Sequence, residues 1–247
     1  MNAAAFGESI DQRVLGGCVF IDAITGTSIG DPLKVSSANL QIRGNRSGVY
    51  VVWNAPGLSS LTTQFNPAAS QWSAAQKFEV TVEDPGRRYL SRRTNIEIPQ
   101  SLATLDPQPI LLYASPSGEL APNWAVIRAS VTDGAGAGLP WAVVQIIKSD
   151  DTVAATGVTD AHGEALLAVM GLGVQVSAAS SGAVTEITIA VIVRAWFDPG
   201  VLTQPVGWVS NPDDILSNLS NPALKTASMS GALGAGQILV AAITIST

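Results

Sequence analysis

Apolar and polar residues alternate along much of this chain, and helical periodicity is nearly absent. In "KFEVTVED" Phe78, Val80 and Val82 fall on one face and Glu79, Thr81 and Glu83 on the other, the pattern of a half-buried strand. "WAVIRASV", "AVVQIIK", "TEITIAVIVRAWF" and "QILVAAITI" are β-branched runs bounded by Gly, Pro, Asp or Asn. Short strands separated by turn signals at this density predict an all-β, Ig-like sandwich architecture.

The turn signals recur in order, which predicts two tandem copies of one sandwich. "NRSGVYVVWNAPGL" (45–58) and "TDAHGEALLAVMGL" (159–172) each run from a polar turn ending in Gly, through an apolar stretch, to a second Gly and Leu. Gly48 precedes Gly57 by nine residues and Gly163 precedes Gly171 by eight. From Gly57 to Asp84-Pro85-Gly86 is 27 residues, and from Gly171 to Asp198-Pro199-Gly200 is again 27. Upstream, Asp22 with Gly26 and Asp133 with Gly138 open the two units. Asn45 and Asp160 are placed to bond the backbone two residues on, and Gly48 and Gly163 to supply positive φ. Each Asp-Pro-Gly is expected to close a hairpin with its glycine in the strained position. These residues are structural punctuation.

The first sandwich is assigned to residues 12–98 and the second to 124–247, joined by a Pro-, Ser- and Ala-rich seam at 99–123 in which "PILLYAS" supplies a strand or packs between the units. The second unit carries an insertion at 201–229. There, Asp213 and Asp214 predict the cap of a short helix over 215–219, stopped by Asn221-Pro222. A long ordered insertion is a candidate contact surface, or else covers an exposed sheet edge.

Composition narrows what such a molecule does. Hydrophobic residues make up 47% and charged residues 13%, against roughly 25% charged in an average domain, which fits either a well-filled core or a subunit whose surface is covered by others. A net charge of −6 argues against nucleic-acid binding. The cluster Arg87, Arg88, Arg92, Arg93 is read as a hairpin surface or a salt-bridge site between subunits. The N-terminus shows no basic region followed by an apolar one, and no run approaches the ~18 apolar residues of a membrane span, so the chain is expected in the cytoplasm when synthesised, without membrane insertion.

Reactive constellations are sparse. The single Cys18 excludes an intrachain disulfide and sits in an apolar run, where a thiol is inert. The single His162 excludes a histidine metal cluster, and no G-x-S-x-G elbow accompanies it. Asp150-Asp151 and Asp213-Asp214 are adjacent pairs that diverge rather than face each other across a cleft. "GAGAGLP" lacks the Lys-Ser/Thr of a phosphate loop. No catalysis, metal, cofactor or small-molecule substrate is expected.

The stretch from Trp124 to Val169 resembles the carboxypeptidase regulatory-like domain, a transthyretin-like β sandwich. The resemblance is carried by Val131-Thr132-Asp133, the Gly-rich turn, Leu139-Pro140 and Thr159-Asp160-Ala161-His162-Gly163. It covers about residues 124–197, and the first unit is similar more weakly through Asp22, Gly26, Gly48 and Gly57. It implies two transthyretin-like sandwiches and says little of function. The tandem arrangement, with "FEVTVEDPGRRYLSRR" and "LLYASPSGELAPNWAVIRASV", is also similar to accessory proteins of phage-tail-like contractile injection particles. That resemblance implies a structural or adaptor subunit whose partners are other protein subunits, copies of itself included. A carbohydrate- or surface-binding module is the alternative. Trp53, Trp141 and Trp196 are read as core or sheet-face residues, and Trp72, Trp124 and Trp208 as loop residues. Trp72, Leu202 and Trp208 join the arginine cluster as the candidate interface.

Overall fold

A computed structural model describes residues 14–63, 75–100, 106–172 and 188–246, and its fold is all-β. The strands of the first unit are β1 (Gly16–Asp22), β2 (Lys34–Ser36), β3 (Gln41–Gly44), β4 (Val49–Asn54), β5 (Gln76–Glu83), β6 (Arg92–Ile98) and β7 (Gln108–Leu112). Those of the second are β8 (Ala125–Asp133), β9 (Val143–Lys148), β10 (Val153–Val158), β11 (Glu164–Val169), β12 (Thr188–Phe197), β13 (Lys225–Gly234) and β14 (Ile238–Ile245). A short helix α1 (Ser59–Thr63) follows β4, and α2 (Pro212–Leu216) lies between β12 and β13.

The first unit pairs the sheet β3-β4-β1-β7 with β2-β5-β6, and the second pairs β11-β8-β14 with β10-β9-β12-β13. Counted within each unit, the fourth, first and seventh strands are neighbours in one sheet and the second, fifth and sixth in the other. The seventh strand runs parallel to the first in both units, Cys18 opposite Gln108 and Ile238 opposite Val126. Only the third strand changes sheets. In the second unit a tight turn, with the Lys148 amide on the Thr152 carbonyl and Asp151 at φ 62, holds β10 against β9. In the first unit β2 has three residues, and β3 pairs instead with β4 across the Asn45–Gly48 turn.

Period-two burial fills two separate cores. Phe20, Val52, Val80, Ile96 and Ile110 belong to the first, and Ile127, Val144, Leu167, Val193 and Ile243 to the second. The seam 99–123 contributes β7, so the strand order of the first unit runs on to Leu112. The chain between β7 and β8 then lies on the second unit, with Ala114, Leu120 and Trp124 against Val126 and Leu166.

The paired landmarks take matching geometry. The Asn45 Oδ1 accepts from the amides of Ser47 and Val49, and the Asp160 Oδ1 from those of His162 and Glu164, two and four residues on in both. Gly48 and Gly163 have φ 79 and 80, and Gly57 and Gly171 have φ 76 and 73. Asp133 repeats the device toward Ala135 and Ala137, but the left-handed residue there is Gly136 (φ 85). Gly138 instead lets the backbone pass the His162 carbonyl, where any Cβ would collide.

Two expectations need correction. The Asp-Pro-Gly turns do not hold their glycines in a left-handed conformation: in the first, that place is taken by Arg87 (φ 55). The Asp84 carboxylate gathers the amides of Gly86, Arg88 and Tyr89, so Asp84 rather than Gly86 dictates the bend. In the second, Asp198 caps a 3-10 turn at Pro199–Thr203 and no hairpin is closed there. The insertion helix runs Pro212–Leu216, not 215–219, because Asn211 accepts from the Asp213 amide as N-cap and Pro212 fills the first helical position. Asp213 and Asp214 stand in its first turn.

Candidate functional site: the seam between the sandwiches

Residues from β6, the end of β7 and the insertion meet at one seam. Arg92 shares the inward face of β6 with Thr94, Ile96 and Ile98 and is 2% exposed, so its charge must be met by the protein. Its guanidinium donates to the Leu111 carbonyl at 2.6 Å and to Asn211 Oδ1 at 3.2 Å, and it pairs with Asp213 Oδ2. Its Nε donates to the Arg93 carbonyl, and the group lies 5.8 Å from the Tyr113 ring centroid. The Thr94 hydroxyl also donates to Asp213.

Arg93 faces the other way and holds the opposite wall. Its amide donates to the Ser210 carbonyl at 2.9 Å and its Nε to the Val209 carbonyl at 2.5 Å. Its guanidinium stacks 4.5 Å from the Trp208 ring centroid and reaches Glu79 at 3.2 Å. Beneath these polar contacts Tyr113 and Leu90 of the first unit and Ile215 of the insertion pack with Val143, Val158 and Trp196. Burial pushes the Tyr113 phenol up to about 12, and its hydroxyl has no hydrogen-bond partner. Burial and the neighbouring Asp213 raise Asp214, whose Oδ1 accepts from Asn211.

Arg88 lies at a second contact, bonded to Asp31 at 2.6 Å and within 3.5 Å of Asp84. Tyr89 donates to Asp22 at 2.8 Å, and burial followed by that bond raises its phenol. Asp22, Arg88 and Tyr89, with Ser117, Leu120 and Trp124, line a cleft of about 370 Å³.

Four of the candidate interface residues thus serve contacts within the chain: Arg88, Arg92, Arg93 and Trp208. Arg87 is exposed at its turn and Leu202 is 57% exposed, while Trp72 lies outside the described residues. Of the other tryptophans, Trp196 is buried, Trp141 and Trp124 pack against the cores, and Trp53 lies on the outward face of β4. Sequence reasoning missed Asn211, Asp213 and the Leu111 carbonyl as partners of Arg92. The period of β6 carried a signal, since Arg92 falls in step with Ile96 and Ile98.

The reactive side chains are dispersed. Cys18 is fully buried in β1, and burial pushes its thiol up to about 12. His162 is exposed on its turn, its Nδ1 3.4 Å from Asp160. Asp150 accepts from Thr152 at a hairpin tip. Among the described residues no three of His, Cys, Asp or Glu are grouped to hold a metal ion, and no helix is long and apolar enough to cross a membrane.

No known family profile matches the chain, and no curated protein does. Among solved structures, it is similar to the Bacillus anthracis TIE protein (12% identity, TM-score 0.29), over 94% of this chain and 34% of that one. It is also similar to a streptococcal ancillary pilin (9% identity, TM-score 0.26), over 84% of this chain and 50% of that one. The chain therefore spans about a third and a half of their lengths.

Proposed function

We propose that this chain is a non-catalytic structural or adaptor subunit of a larger assembly, of the contractile-injection or phage-tail-like kind. Its two units are read as transthyretin-like sandwiches. The observation that carries the reading is the Arg92 seam. A buried cation held by a strand carbonyl of one unit and by Asn211 and Asp213 from the insertion of the other fixes the relative orientation of two domains. Two sandwiches tied in this way form a spacer that transmits position and load, which is what an assembly asks of a connecting subunit. Unlinked binding modules are served by a looser join.

Purification of tail-like particles from the cells that encode the chain, followed by quantitative mass spectrometry across a density gradient, tests this. The chain is expected at constant stoichiometry with tube and sheath proteins. Its absence from every particle fraction, together with retention on a glycan array, would replace the reading with a carbohydrate-binding one.

A further inference from the structure

The two sandwiches differ in what covers the flank beside their fourth strand. In the second unit, where β10 and β11 are the sheet edges, that flank is occupied by the first unit and the segment that follows its last strand. Ile24 and Ala114 lie with Leu166 and Val126, and Leu90 and Tyr113 with Val143 and Val158. The corresponding flank of the first unit runs along β3 and β4. It holds a groove of about 960 Å³, walled by the 30–33 loop and the Asn45–Gly48 turn; its one carboxylate, Asp31, is already paired with Arg88. Val14, Val51 and Trp53 line it, and none of the three belongs to a core cluster among the described residues. Arg43 and Arg46 stand beside them, and among the described residues neither side chain has a hydrogen bond or ion pair. Two unspent cations beside an aliphatic floor are conspicuous in a chain of net charge −6.

The second unit has an end of the opposite character. The turns opened by Asp133 and Asp160 and the 3-10 turn behind Asp198 lie at one end of its strands, with Glu164 at the start of β11. These four carboxylates outnumber the cation there, Lys225, which stands opposite Phe197 in the β12-β13 pairing. Beside Asp198 the same end exposes Leu202 at 57% and Val206 fully.

We propose that this acidic end docks into the basic groove of a second copy, so that the chain associates head to tail. Two observations favour a second copy over another occupant. The charges are complementary, carboxylates facing Arg43 and Arg46, and the exposed Leu202 and Val206 match a floor of valines and Trp53. The docking mode is also one the chain already uses internally. The first unit presents its first-to-second-strand turn and the segment after its fifth strand to the fourth-strand flank of its neighbour. The Asp133 turn and the segment after Asp198 are the same parts of the second unit. An aliphatic floor with one tryptophan suits a protein surface better than a stacked sugar. Because the two surfaces differ, the contact is heterologous and builds open chains or a ring.

The inference rests on the subunit reading and names its partner. Sedimentation velocity over a concentration series tests it with two double variants, Arg43→Glu/Arg46→Glu in the groove and Leu202→Asp/Val206→Asp at the tip. Among the described residues these side chains make no hydrogen bond or ion pair and join no core cluster, and unchanged thermal unfolding of each variant checks that the fold is kept. The wild type is expected to form a concentration-dependent series, weakened by roughly 0.5 M salt. Each variant alone should lose association by at least roughly tenfold. An equimolar mixture of the two should form a 1:1 complex and nothing larger, since it offers one intact groove and one intact tip. A wild type that stays monomeric, a groove variant that associates like the wild type, or a mixture that forms no complex would each overturn the proposal. A monomer that still co-purifies with particles sinks only this inference. A self-associating chain missing from particles sinks only the subunit reading.

Discussion

At the scale of single residues, glycines that look alike in the sequence do different work. Gly57 and Gly163 both sit at positive φ, but a Cβ on Gly57 meets nothing within 4 Å, whereas on Gly163 it would stand 2.7 Å from the Leu139 amide nitrogen and closer still to the Val131 carbonyl. Gly57→Ala is therefore expected to cost about 1 kcal/mol, the conformational term alone. Gly163→Ala should cost several kcal/mol, because the backbone of two strands must part. Urea titration of both variants checks the difference. Cys18 makes a prediction of another kind. Its thiol moves from an ordinary 9.0 to about 12 in the fold, so between those values the unfolded chain gives up a proton that the folded one keeps. Cys18 thus leaves stability unchanged below about pH 9 and lowers it as pH rises toward 12; Tyr113, raised from 10.0 to about 12, adds to the fall above pH 10. Cys18→Ala should flatten the portion that begins near pH 9, measured by unfolding at a series of alkaline pH values. The paired turn residues were legible in the sequence because Asx and glycine chemistry is local. The left-handed Arg87 was not, since nothing in Asp-Pro-Gly-Arg says that the carboxylate will gather three amides and push the strain one residue on.

At the scale of elements, the insertion helix depends on its cap and gives the cap a second duty. The Asn211 Oδ1 accepts from the Asp213 amide and from Arg92, while its Nδ2 donates to Asp214. Asn211→Ala should cost more than the ~1 kcal/mol of an ordinary lost cap, because it also strips an acceptor from a buried guanidinium. Asn211→Asp keeps the cap and the acceptor for Arg92 but turns a carboxylate oxygen on Asp214. It should therefore recover only part of that loss at neutral pH and more of it as the pH falls, a contrast that thermal unfolding of the pair resolves. Strand positions were legible because alternation reports burial directly. The helix was misplaced by three residues because two aspartates after a proline read as a cap, although the Asn-Pro pair before them is the better one. The change of sheet by the third strand was not legible, since it follows from connection lengths and pairing partners rather than from the residues of β3 or β10.

At the scale of the whole molecule, two cores meet through a shared cluster and an ion pair whose cation is buried, so their unfolding should be coupled. Val143, Val158 and Trp196 belong to the second unit, yet their cover includes Tyr113 and Leu90 of the first. If the first unit unfolded alone, it would uncover that apolar surface and leave Asp213 and Asn211 without Arg92. Each consequence raises the cost of opening one unit at a time, and calorimetry of the full chain should therefore record a single transition whose calorimetric and van't Hoff enthalpies agree. Arg92→Ala removes the cation and leaves its buried acceptors unmet. Because Asp213 is half exposed and water can reach it, the loss should be about 2–3 kcal/mol rather than the larger value for a fully buried pair. The informative result is the shape of the trace: weakening the seam should split the transition in two while leaving each core intact, because Arg92 lies at the start of β6, ahead of Ile96 and Ile98 that fill the first core. A variant that melts earlier but still in one step would mean that the apolar cluster around Tyr113 couples the units by itself, and a wild type that already melts in two steps would mean that the seam does not make one body of them.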